Sequence, residues 1–132
     1  MIEKQVLEMD NNPSSPKSVF EQLTQALNRH DLESMVSCFA DDFRSEQPLH
    51  PDRAFTGPEG VRKNWSMFFK MMPDIQVEIL NQAEDGEVVW AEAHYYGTQV
   101  DGKKYSMRGV NILGIRNGQI KWTRIYVEPV SD

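Results

Sequence analysis

From Ile75 onward, apolar and polar residues alternate in four stretches, 75–84, 87–97, 104–115 and 119–128, each rich in Val, Ile, Trp or Tyr and free of proline. Alternation with a period of two marks a half-buried strand. Between the stretches stand Asp85-Gly86, Asp101-Gly102 and Asn117-Gly118, spaced sixteen residues apart. Asx-Gly best accepts the positive φ of a two-residue hairpin turn. The pattern predicts an antiparallel meander. Strands of about ten residues are long enough for the sheet to curl, and a curled sheet closed by helices encloses a pocket.

The N-terminal half has a helical period instead. Ser15 and Pro16 form an N-cap with proline at the first helical position, and Val19, Phe20, Leu23, Ala26 and Leu27 fall on one stripe. Asn28-Arg29-His30 breaks this helix, with His30 expected to be solvated. Asp31 caps a second, shorter helix whose buried face is Leu32, Met35, Val36 and Phe39. Phe43–Gln47 reads as a short strand stopped by Pro48, and Leu49–Thr56 as a loop. Gly57-Pro58 opens a third helix that Pro73 ends. Its Val61, Trp65, Phe68, Phe69 and Met72 share a face suited to core packing, while Trp65 and Met72 are the candidates for a cavity wall. Residues 1–14, which end in turn formers, read as a flexible lead-in, and 15–132 as a single domain. Helices first and a meander last make the fold class α+β: a cone-shaped curled antiparallel sheet packed on three N-terminal helices.

A net charge of −6 over 132 residues argues against nucleic acid or an anionic membrane as partner. No apolar run approaches the roughly 18 residues of a membrane span, and Glu3, Glu8 and Asp10 stand where a signal peptide would be apolar. The single cysteine, Cys38, has no internal partner and reads as a core thiol, which suits a cytoplasmic protein. His30, His50 and His94 are not spaced as ligands on one element, so no metal is expected. Without a phosphate-binding glycine loop or a nucleophile elbow, no cofactor is expected either.

Several short segments carry a resemblance: Ala26-Leu27-Asn28-Arg29-His30-Asp31-Leu32, Phe39-Ala40-Asp41-Asp42, Gly57-Pro58-Glu59-Gly60-Val61, Asn117-Gly118-Gln119-Ile120 and Arg124-Ile125-Tyr126. In this order, over roughly residues 16–128, the chain resembles the SnoaL-like group of the nuclear transport factor 2-like superfamily, which includes polyketide cyclases, ketosteroid isomerases and limonene epoxide hydrolase. The resemblance implies the cone (a cystatin-like α+β barrel) but little about chemistry. It puts the isomerases' general base at Gln47 and their two oxyanion donors at Leu23 and Asn111. Gln47 takes no proton at neutral pH and Leu23 donates none, so ketosteroid isomerisation by that mechanism is not expected. It puts the epoxide hydrolases' Asp-Arg-Asp triad at Tyr95, Ala93 and Ile125, which cannot activate water.

The same alignments sort the meander into two faces. Ala91, Ala93, Tyr95, Met107, Gly109, Asn111, Leu113, Thr123, Ile125 and Val127 would face inward, joined by Ser45 and Gln47. Gln47, Trp65, Tyr95, Met107, Asn111, Thr123 and Ile125 are the candidate ligand-binding residues, and they suit a small, largely apolar molecule held by a few neutral hydrogen-bonding groups. The outer face would carry Trp90, Glu92, His94, Tyr96, Arg108, Val110, Ile112, Trp122, Arg124, Tyr126 and Glu128. Aromatics and Arg are enriched in association surfaces, so Trp90, Tyr96, Arg108, Ile112, Trp122, Arg124 and Tyr126 read as a homodimer interface. A β-bulge would exchange the faces and bring His94, Arg108, Arg124 or Glu128 to the cavity. Catalytic candidates are therefore Glu128, His94 and, from the loop after the first strand, His50. Two functions stay open: proton-transfer chemistry of the isomerase, cyclase or dehydratase type on a carbonyl compound, and a non-catalytic ligand carrier or dimeric scaffold with a vestigial pocket.

Overall fold

The computed structural model describes residues 12–131, so the expected lead-in over 1–14 lies outside the described residues except for 12–14. Among the described residues three helices, α1 (Pro16–Asn28), α2 (Leu32–Val36) and α3 (Pro58–Met71), pack on one six-stranded sheet. The strands are β1 (Phe39–Glu46), β2 (Phe55–Thr56), β3 (Gln76–Asp85), β4 (Val88–Thr98), β5 (Lys104–Arg116) and β6 (Gln119–Val130). Their order is β2-β1-β6-β5-β4-β3.

Both expected caps form: Ser15 Oγ accepts from the Ser18 N–H at 3.1 Å, and Asp31 Oδ1 from the Ser34 N–H at 3.1 Å. The second helix is shorter than its apolar spacing suggests. It ends at Val36, and Phe39, expected on its buried face, opens β1 instead. The Ile120 N–H donates to the Cys38 carbonyl at 2.8 Å, so pairing with β6 takes the backbone where a further helical turn would need it. The expected loop 49–56 also contains a 3₁₀ turn, Pro51–Arg53, and the two-residue β2 beside β1.

The sheet is mixed rather than antiparallel throughout, because β1 runs parallel to β6. It curls without closing, leaving β2 and β3 as edges. The three Asx-Gly dipeptides all lie at hairpins but build different turns. Asn117-Gly118 forms the expected two-residue loop, with φ of 54° and 78°. Gly86-Glu87 connects β3 to β4, with Asp85 still in the strand. Asp101-Gly102 sits in a five-residue loop between the Thr98↔Lys104 pair.

Register is unbroken between β4 and β5 from Val88↔Gly114 to Thr98↔Lys104. Shifts occur between Ile79 and Asn81, midway along β3, and between Gly114 and Ile115, near the end of β5. Ala91, Asn111 and Ile125 are aligned cross-strand neighbours, as are Leu113 and Thr123. At Gly109, opposite Ala93 and Val127, a Cβ would come within 1.9 Å of the Tyr126 carbonyl oxygen. Only glycine lets β5 and β6 approach so closely where the sheet bends.

Asn28 ties α1 to the sheet like an added rung: its side-chain NH₂ donates to the Val77 carbonyl at 3.1 Å, and its Oδ1 accepts from the Val77 N–H at 2.7 Å. His30 is not a free turn residue. Its Nε2 donates to the Ile75 carbonyl at 2.7 Å, and its ring lies against Phe69. The apolar core forms two clusters. One gathers Phe20, Phe39, Phe43, Val89, Leu113 and Ile120, and the other Ala26, Leu27, Met35, Val77 and Ala93. Leu23, Trp65 and Ile79 pack against both. Cys38 is buried, and burial pushes its thiol up to about 11.

Candidate functional site

A cavity of about 640 Å³ opens between the helices and the concave face of the sheet, a volume suited to a small organic molecule. Phe20, Leu23, Thr24 and Leu27 of α1 and Met35 of α2 form one wall. Gly60, Val61, Lys63, Asn64, Trp65 and Met67 of α3 form a second. The sheet supplies Phe39, Phe43, Ser45, Phe55, Val77, Tyr95, Asn111, Leu113, Thr123 and Ile125, and the loop after β1 adds Gln47 and Arg53. The space exists because α3 does not press its aromatic face fully into the core. Val61 is its one buried residue, while Trp65, Phe68 and Phe69 are half-buried. Met72 is fully buried and takes no part in the lining.

Polar groups are sparse and tied to one another. Asn111 Nδ2 donates to the Tyr95 hydroxyl oxygen at 2.8 Å. With one lone pair so occupied, the Tyr95 O–H remains as a donor toward the cavity. Burial raises the phenol's pKa against the lowering effect of the Asn111 bond, so Tyr95 keeps its proton. Thr123 Oγ1 donates to Ser45 Oγ at a long 3.4 Å. Arg53 Nη1 donates to Gln47 Oε1 at 3.2 Å, which orients the Gln47 amide and leaves its NH₂ unengaged. The described lining contains no carboxylate and no imidazole.

Of the candidate ligand-binding residues, Gln47, Trp65, Tyr95, Asn111, Thr123 and Ile125 surround this one cavity. Met107 is buried elsewhere, opposite Tyr95 and Pro129. The positions that the resemblance gave to the isomerase base and donors, Gln47, Leu23 and Asn111, converge on the same space. Of the positions given to the epoxide hydrolase triad, Tyr95 and Ile125 line it and Ala93 is buried in the core.

The three catalytic candidates do not line the cavity. His94 pairs in register with Arg108, and Arg108 with Glu128, in a row across the opposite face of the sheet. No bulge interrupts β4 or β5 between the cavity and these positions, so the faces are not exchanged there. His94 stacks near Tyr96, with ring centroids 5.1 Å apart, and its buried Nε2 has no hydrogen-bond partner. His50 Nε2 donates to Glu128 Oε2 at 2.7 Å. This contact pins the loop after β1 to β6. Sequence reasoning missed the cationic rim, Arg53 and Lys63, and the apolar contributions of Phe55 and Met67. Arg53 and Phe55 stood in a segment read as a loop, and Lys63 shared an exposed helix face with other charges.

On the outer face, Trp90 and Tyr96 are exposed. Trp122 lies across Gly114, whose added Cβ would meet its Nε1 at 2.0 Å, and Arg124 stands over the Trp122 ring at 5.6 Å. Arg108 forms no ion pair among the described residues. None of the described helices is long and apolar enough to cross a membrane.

Known proteins place this architecture. Residues 20–123 match the model of the SnoaL-like domain. The fold is similar to that of AclR, a candidate hydroxylase from Streptomyces galilaeus (TM-score 0.76, 18% identity, covering 86% of this chain and 74% of that one). It is also similar to a candidate SnoaL-like polyketide cyclase from Jannaschia (TM-score 0.74, 19% identity, 91% of each chain). A third likeness is to a protein with a ketosteroid isomerase-like fold from Catenulispora acidiphila in complex with trimethylamine (TM-score 0.71, 18% identity, covering 82% of this chain and 83% of that one). No curated protein matches the sequence.

Proposed function

We propose, from the premise that this chain belongs to the SnoaL-like domain family within the nuclear transport factor 2-like superfamily, that it binds a small, largely apolar molecule in the cavity without transforming it. One observation carries this reading: the described lining supplies hydrogen-bond donors, amides and hydrocarbon, but no carboxylate or imidazole to move a proton. The ligand's acceptor, such as a carbonyl oxygen, takes the Tyr95 O–H while its body lies against Phe20, Leu23, Trp65 and Ile125. A proton-transfer reading has one support, since Tyr95 is placed to polarise a carbonyl, but the wall offers it no base.

A cytoplasmic homodimer completes the proposal. Exposed Trp90 and Tyr96, the Trp122–Arg124 stack and Arg108, which has no ion pair among the described residues, sit on the sheet face that no described helix covers, and a second copy would bury them. The deciding measurement is thermal shift against a panel of small carbonyl compounds, followed by incubation and product analysis of any that stabilise the protein. Stabilisation with full recovery of unchanged ligand supports the binder, and turnover supports the enzyme.

A further inference from the structure

The cavity rim has a charge that the molecule as a whole does not. The chain carries a net charge of −6, yet the described lining contains two cations, Arg53 and Lys63, and no anion. Both are exposed, whereas the walls behind them are mostly apolar. They come to the same rim because Phe55, two residues after Arg53, seats its ring on Gly60, where an added Cβ would meet Phe55 Cδ1 at 2.2 Å. Lys63 stands one helical turn beyond Gly60.

The neighbouring acids are committed elsewhere. Glu59 has the i,i+4 spacing that would make it the partner of Lys63, but Arg62 takes it, and Arg62 also holds Glu33 at 2.6 Å. Glu128 is bound by His50. Asp52 is exposed beside Arg53 and does not line the cavity. Lys63 therefore has no ion-pair partner among the described residues, and the guanidinium of Arg53 bonds only a neutral amide, Gln47 Oε1. By contrast Arg44, Arg116 and Lys121, away from the cavity, each have a carboxylate.

We propose that the ligand of this cavity is an amphipathic monocarboxylic acid, with its hydrocarbon or ring body inside and its carboxylate held at the rim by Arg53 and Lys63. This rests on the binding reading given above and names the ligand class for it. The planar fork of Arg53 matches a carboxylate edge, and Lys63 adds a mobile point charge. An acid whose body also bears a carbonyl would satisfy Tyr95 at the other end. An amine of the same shape would meet two like charges and no anion.

The test is calorimetric titration of two matched series: decanoate, methyl decanoate and decylamine, then 2-naphthoate and methyl 2-naphthoate. The acids are expected to bind about tenfold more tightly than their esters, and decylamine most weakly. The acid-to-ester ratio should fall at least about fivefold in Arg53→Gln/Lys63→Gln, and should also fall as salt is raised, because the rim is exposed. Arg53→Glu/Lys63→Glu should reverse the order and favour decylamine. Both pairs of substitutions are at exposed positions, and circular dichroism checks that the variants fold. Esters that bind as well as acids, with ratios unmoved by either variant, would overturn this inference and leave the binding reading intact. If no member of either series binds, both fall.

Discussion

Tyr95 and Asn111 are joined at 2.8 Å although they are not cross-strand partners: Tyr95 pairs with Met107, and Asn111 with Ala91. The tyrosine reaches along the sheet to a residue two full pleat repeats further on, past the small Ala93 and Gly109. Neither side chain bonds the backbone of another described residue, so the pair orders the cavity floor and carries none of the sheet's own hydrogen bonds. Tyr95→Phe should cost about 1–3 kcal/mol of stability, because it strands a buried amide donor. Tyr95→Phe/Asn111→Leu removes both partners and should be more stable than the single Tyr95→Phe variant. Urea unfolding of the wild type, Tyr95→Phe and the double variant tests this, and a double variant less stable than Tyr95→Phe would assign Asn111 to another, structural bond.

The His50–Glu128 contact is short but half-exposed, with side-chain exposures of 33% and 41%. Glu128→Gln and His50→Gln should each lower stability by no more than about 1 kcal/mol. Since neither residue lines the cavity, stabilisation by a bound ligand should be the same in both variants as in the parent. A loss of ligand-induced thermal shift in Glu128→Gln would show that the loop after β1 couples to the cavity.

The sequence made some of this visible and hid the rest for physical reasons. Strand faces were legible because a period of two is written directly in the residues, and Tyr95, Asn111 and Thr123 fall on the cavity side as the alternation requires. Turn positions were legible from Asx-Gly, but turn types were not. Gly86 moved the first turn one residue on, and Asp101-Gly102 became part of a longer loop. The parallel pairing of β1 with β6 leaves no trace in alternation, which records burial and not strand direction. Nor does alternation show that the His50 ring crosses 78 positions of sequence to meet Glu128. The cationic rim was hidden because Arg53 and Lys63 acquire a common meaning only once Phe55 docks on Gly60.

Association through the outer sheet face is tested by Trp122→Ala/Arg124→Glu. The pair removes the indole that covers Gly114 and places an acid beside Glu46, which Arg124 now engages at 3.4 Å. Light scattering should show the wild type as a dimer at micromolar concentration and the variant as a monomer that still binds ligand. A monomeric wild type would end the dimer proposal without touching the cavity.

Stability should fall at both ends of the pH scale. Hydrogen bonds from Ser34 hold the Asp31 carboxyl below its ordinary range, Lys121 does so for Asp42, Arg44 and Arg124 for Glu46, and the Thr98 N–H for Asp74. A carboxyl with a lower pKa folded than unfolded binds more protons when unfolded, so its contribution is present above its unfolded value and fades below about pH 4. Cys38 and Tyr95 have the opposite sign, since both are raised by burial. Their contribution is present below their unfolded values and is lost as pH climbs from about 8.5 toward the Cys38 value of about 11. Melting temperature measured from pH 3 to pH 11 should be flat in the middle, with a decline at each end. Cys38→Ala should lessen the alkaline decline and leave the acid one unchanged.

The buried state of Cys38 also makes the molecule chemically quiet. With a pKa of about 11, roughly one molecule in ten thousand carries a thiolate at pH 7, and the sulfur is enclosed as well. The chain has no other cysteine. A thiol introduced on the cavity wall by Asn64→Cys would therefore be the single point at which an alkylating fluorophore or spin label attaches. Such a label would report cavity occupancy directly, against a background set by one unreactive sulfur.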